Sequence, residues 1–100
     1  MRFIINNLIY ETDNMENVAE GQKWERVDDM LTRAIYHGKE VGREYPHTLW
    51  KSKNGRWLLT HEREYGKTYG QAIEESEAKE LLKRWDYEKY AELFGELPEA

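Results

Sequence analysis

Three histidines, His37, His47 and His61, are the side chains best suited to move a proton or hold a metal near neutral pH. None stands three or four residues from another, the spacing that sets two ligands on one helix face. His47 and His61 lie near opposite ends of a candidate hairpin and can approach each other across it. On spacing alone they read as polar or edge-of-core histidines, and no metal site is assigned. Carboxylates gather at Glu74, Glu75, Glu77 and Glu80. General acid–base work needs a pair in a cleft with separated pKa values, and nothing in the sequence implies a cleft. A helix start favours such a cluster through its dipole. The sharper reading is a patch that imitates phosphate spacing for a nucleic-acid-binding partner. Nucleophile motifs are missing: there is no cysteine, no G-x-S-x-G, no phosphate-cradling glycine loop and no H-E-x-x-H. The chain therefore reads as non-enzymatic, with no catalytic residue and no cofactor.

A second constellation is basic. Lys51, Lys53 and Arg56 lie beside Trp50 and Trp57, and Arg63 and Lys67 follow. Lysine and arginine next to aromatic rings suit a phosphate-plus-stacking surface for nucleic acid. If Asn54-Gly55 is a two-residue loop, Trp50 faces Leu59 and Ser52 faces Trp57. Thr48, Trp50, Ser52, Trp57, Leu59 and His61 then share one face. Leu49, Lys51, Lys53, Arg56, Leu58 and Thr60 share the other. That alternation separates the tryptophans from the basic side chains and argues against nucleic-acid binding. Lysines that discourage edge-to-edge pairing are the plainer account.

Charge sharpens the contrast. Residues 1–42 carry five bases and eight acids, residues 43–67 six and three, and residues 68–100 four and nine; the net charge is −5. An acidic protein is a poor general binder of phosphate backbones and a better match for a basic protein surface. The acidic residues Glu74, Glu75, Glu77, Glu80, Asp86, Glu88 and Glu92 are the partner-binding candidates. Lys51, Lys53, Arg56, Arg63 and Lys67 are the alternative, nucleic-acid-binding set.

The elements that must position these residues follow from pattern. One hundred residues make one domain, and the many aromatics, four Trp and seven Tyr among them, argue against disorder. No apolar run exceeds three residues, so neither a membrane span nor a signal-peptide core is expected, and the chain reads as intracellular. Residues 2–11 predict a hairpin turning at Asn6-Asn7. Met15, Val18 and Ala19 predict a short helix stopped by Gly21. Trp24, Val27, Met30, Leu31, Ala34 and Ile35 predict a helix over 23–36 with a buried stripe, and 39–46 a loop. Residues 48–61 predict the second hairpin. Residues 62–71 read as a loop or irregular edge strand, and Ala72-Ile73-Glu74 as a short strand. Ala78, Leu81, Leu82 and Trp85 predict a helix capped by Ser76. A phase jump at Asp86 predicts a further helix ending at Gly95. The expected fold is α+β: a small antiparallel sheet from two hairpins, with three to four helices packed against it.

The run Ile4 to Thr12, the hairpin Thr48 to Leu59, the segment Ser76-Glu77-Ala78-Lys79-Glu80-Leu81-Leu82 and the ending Tyr90 to Gly95 carry a resemblance. In that order they resemble a group of small acidic proteins encoded on phages, plasmids and integrative elements of Gram-positive bacteria. The stretch 23–40, and Thr60 to Tyr65, depart from the group's pattern. The resemblance implies an accessory, counter-defence role in the cytoplasm of a bacterial host. In size, charge and lack of cysteine the chain is similar to anti-CRISPR inhibitors. A CRISPR effector offers basic channels for guide and target, which an acidic protein can occupy. The expected partner is thus a protein, with a homodimeric structural module as a further alternative.

Overall fold

Asn6 and Asn7 adopt φ angles of 52° and 63°, the left-handed conformations that a two-residue hairpin turn needs. They join β1 (Arg2–Ile5) to β2 (Leu8–Glu11), with Ile5 opposite Leu8 and Phe3 opposite Tyr10. The computed structural model describes residues 1–27 and 41–100, and of Tyr65 the backbone only. After a single 3-10 turn at Thr12–Asn14, the chain forms β3 (Glu16–Arg26), β4 (Gly42–Lys51), β5 (Trp57–Glu62) and β6 (Thr68–Ile73). A second 3-10 turn, Glu64–Gly66, links β5 to β6. These four strands make an antiparallel sheet in the order β3-β4-β5-β6, and β1-β2 form a separate two-stranded sheet. Two helices follow, α1 (Glu75–Trp85) and α2 (Tyr87–Phe94).

The four-stranded sheet is the middle layer. On one face Leu49, Trp57 and Leu59 pack with Val18 and Ala19 against Ala78, Leu81 and Leu82 of α1 and Tyr90 of α2. The 78, 81, 82, 85 spacing gives α1 one apolar stripe, and Asp86 caps α2 by accepting from the Lys89 amide at 3.1 Å. Leu58 and Thr60 point to the opposite face, which the first hairpin covers. There Phe3 lies so close to Gly70 that a Cβ on that glycine would stand 2.5 Å from its ring.

This arrangement corrects the expected fold class. The protein is mostly β in two sheets, and the described residues contain two α-helices, not three to four. The short helix expected around Met15, Val18 and Ala19 is strand from Glu16 onward. Val18 is an extra residue in a bulge, where pairing steps from Asn17↔Trp50 to Ala19↔Leu49. The bulge buries Val18 and Ala19 side by side, so Met15, Val18 and Ala19 imitate helical spacing. Residues 23–26 of the expected 23–36 helix also belong to β3; its remainder from residue 28 lies outside the described residues. The expected loop at 39–46 is strand from Gly42 onward. Pro46 is tolerated because β5 pairs with β4 only from His47 on, leaving Pro46 on a stretch with one neighbour. Ser76 is not the α1 cap: Glu74 holds that position without a side-chain bond.

The β4–β5 register differs by one residue from expectation. Trp50 faces Leu58 and Lys51 faces Trp57. The loop has three residues, Lys53-Asn54-Gly55, closed by Ser52 N to Arg56 O at 2.8 Å, with Gly55 at φ 80°. A type I turn ended by a left-handed glycine is the usual three-residue hairpin. A one-residue slip exchanges the faces of a strand. Trp57 therefore joins Leu49, Lys51, Leu59, His47 and His61, and Trp50 joins Thr48, Leu58 and Thr60.

Candidate functional site

The corrected register builds a ladder across one end of the sheet. Gly21, His47, His61 and Tyr69 stand opposite one another on four successive strands. His47 and His61 stack with centroids 4.4 Å apart, and His61 and Tyr69 stack at 5.2 Å. Tyr45, two residues before His47, tilts against His61 at 5.7 Å. The Arg63 guanidinium lies 4.6 Å from the Tyr69 centroid and 5.5 Å from that of Tyr45. Arg63 Nε donates to His61 Nε2 at 3.0 Å.

Glu25 reaches into this cluster from β3. Its Oε1 lies 3.0 Å from His47 Nε2 and 3.1 Å from Lys23 Nζ, and its Oε2 lies 3.9 Å from Arg63 Nη2. One ligand atom from each of Glu25, His47 and His61 lies within 4.8 Å of the other two. His47 is 1% exposed, and its Nδ1 sits 2.7 Å from the Tyr45 carbonyl oxygen. Burial, then the neighbouring His47, lower the pKa of His61 to about 4. Burial opposes the Glu25 carboxylate, but hydrogen bonds from Lys23 and His47 outweigh it and hold its pKa below the ordinary value. Beside this cluster, a cavity of about 210 Å³ is bordered by Glu25, His61, Arg63 and Tyr69.

The acidic candidates occupy a different layer. Glu74, Glu75, Glu80, Asp86, Glu88 and Glu92 are exposed on or beside α1 and α2, and Glu77 is half-buried. Asp86 is engaged as a cap, Glu80 holds Lys83 at 3.0 Å, and Glu92 lies 3.9 Å from Lys89. Both helices cover the same face of the sheet, so these residues share one outer layer.

The basic candidates do not converge. Lys51, Lys53 and Arg56 surround the β4–β5 turn, whereas Arg63 and Lys67 lie past the far end of the six-residue β5, about 20 Å away at strand rise. Lys51 rests over the Trp57 ring at 5.4 Å, and Arg63 is held among Tyr69, His61 and Glu25. The sequence reading missed Glu25, Tyr45 and Tyr69. A three-residue loop would have aligned His47 with His61.

No helix among the described residues is long and apolar enough to cross a membrane. The chain matches no protein-family model, no curated protein and no solved structure.

Proposed function

We propose that this protein is a non-enzymatic binding protein that docks its electronegative helical layer on a basic surface of another macromolecule. The partner class is a host nucleic-acid-binding defence effector, so the protein acts as an inhibitor of anti-CRISPR type from a phage or mobile element. The supporting observation is an asymmetry between the two signs of charge on the helices. Lys79 lies over the Phe94 ring at 4.8 Å, Lys83 bonds Glu80 and lies 5.4 Å from the Tyr90 centroid, and Lys89 lies within 3.5 Å of Glu16. Among the described residues no cation stands within ion-pair distance of Glu74, Glu75, Glu77 or Glu88. Three of the four helix cations are engaged in this way and Arg84 is exposed, so the carboxylates that outnumber them give a field that steers a basic partner. The resemblance to small acidic mobile-element proteins favours the effector class.

The test is DNA cleavage by a panel of purified CRISPR effectors with the protein added. Stoichiometric inhibition of one effector, weakening as salt rises and lost in Glu74→Lys/Glu75→Lys/Glu88→Lys, supports the reading. Full cleavage by every effector, with none co-purifying, removes it. A homodimeric module is the second reading, favoured by Ile4 and Ile9, which face each other on β1 and β2 and are 71% and 66% exposed. Sedimentation showing only monomer at high micromolar concentration excludes it.

A further inference from the structure

His47 presents an unusual chemical demand. Its Nδ1 faces a backbone carbonyl at 2.7 Å and its Nε2 faces a carboxylate at 3.0 Å. Both partners are oxygens, one of a backbone carbonyl and one of a carboxyl group. Nδ1 carries a proton, which fixes the ring. Nε2 is then aimed at the Glu25 carboxylate, beside the position a metal ion shared with Glu25 would take. A histidine that donates Nδ1–H to a backbone carbonyl and turns Nε2 toward a carboxylate has the orienting contact of a metal ligand. The ring is buried and paired with Glu25.

Two further donors stand beside it. The His61 Nε2 lone pair accepts from Arg63, so Arg63 must withdraw before that nitrogen can bind an ion. Glu25 supplies oxygen. We propose that Glu25, His47 and His61, whose ligand atoms lie within 4.8 Å of one another, form a binding site for a divalent transition-metal ion of the zinc class.

The donor separations approach those of a metal site, and because the His47 and His61 rings stack at 4.4 Å with 23° between their planes, the His61 ring must rotate out of the stack to aim its nitrogen at the ion. Tetrahedral zinc, with donors at about 2.0–2.1 Å, separates them by roughly 3.3–3.4 Å. The observed separations run from 3.0 Å for Glu25 and His47 up to no more than 4.8 Å. Two imidazoles and one carboxylate select zinc-class ions over calcium or magnesium, which prefer oxygen alone. Three protein donors leave a position for water, and the adjoining cavity gives it room. Lys23 and Arg63 compete for the carboxylate, Arg63 also occupies His61 Nε2, and both partly exposed side chains must swing aside for the ion to enter.

The ion would tie β3, β4 and β5 together. A domain with a small core gains most from such a staple. None of Glu25, His47 and His61 belongs to the acidic docking set, so docking and metal binding fail separately.

The test uses the full chain, stripped with a chelator and titrated with Co²⁺ under visible absorption, then with Zn²⁺ in competition. One ion per chain, a ligand-field band, and a Zn²⁺-dependent rise in melting temperature of about 5 °C or more at saturation are expected. Glu25→Gln and His61→Gln each weaken binding about ten-fold or more, while Glu62→Gln on the same strand leaves it unchanged. Arg63→Gln, which removes a competing cation and no donor, tightens it. No cobalt band at roughly 100 µM Co²⁺, where a micromolar site is saturated, overturns the proposal. So does binding that Glu25→Gln and His61→Gln leave intact while both variants remain folded by circular dichroism.

Discussion

The Trp85 indole packs on the backbone of Gly21 so closely that a Cβ there would stand 2.3 Å from the ring. Trp85 Nε1 also donates to the adjacent Gln22 carbonyl at 3.2 Å. This contact seats α1 on β3 and sets how far the helix layer extends toward His47, the strand neighbour of Gly21. Gly21→Ala should destabilise the protein by about 1–3 kcal/mol, the usual cost of forcing atoms into a packed contact. Urea unfolding measures it. A stability equal to wild type would mean that Trp85 does not occupy this position.

Gly55 tests the register that the ladder depends on. Its φ of 80° lies in the left-handed region, with open space around the position a Cβ would take. Gly55→Ala should therefore cost about 1–2 kcal/mol through backbone strain alone. Gly55→Asn should recover part of that loss, because asparagine tolerates this conformation. A neutral Gly55→Ala would indicate a different loop and the alternative pairing.

Acid should weaken the metal-free fold in a defined window. The pKa of His61 is about 4 in the folded protein against an ordinary 6.5. Above pH 6.5 the residue is neutral whether folded or unfolded, and its full contribution to stability is present. As pH falls from 6.5 toward 4, the unfolded chain binds a proton that the folded chain resists, so stability declines. Glu25, with its lowered pKa, adds to the loss only below its ordinary 4.5. Chelator-treated wild type should lose stability between pH 6.5 and 4.5, and His61→Gln should show a flatter slope there.

Asp86 separates a structural from a docking role. Its carboxylate caps α2 through the Lys89 amide. Asp86→Ala should cost about 1 kcal/mol, whereas Asp86→Asn, an equally good cap, should keep stability. If the helical layer docks on a basic surface, Asp86→Asn should still slow association with the partner. Unchanged association at low salt would remove Asp86 from the docking set.

Local chemistry was legible where a few adjacent residues decide the outcome. The Asn6-Asn7 turn, the α1 stripe at 78, 81, 82 and 85, the Asp86 cap and the stop at Gly95 all follow from short-range rules. The net charge and its concentration in the last third are properties of composition. What tertiary structure decided is subtler. Spacing cannot distinguish a bulge that buries Val18 beside Ala19 from a turn of helix, because both place apolar residues three and one apart. Nor can it count the residues in a loop containing Asn54-Gly55, although one residue reverses both faces of the hairpin. Glu25, His47 and His61 meet only because three strands pair in one register. Residues 22 and 14 positions apart become neighbours through long-range hydrogen bonding, which leaves no mark on the sequence around any one of them.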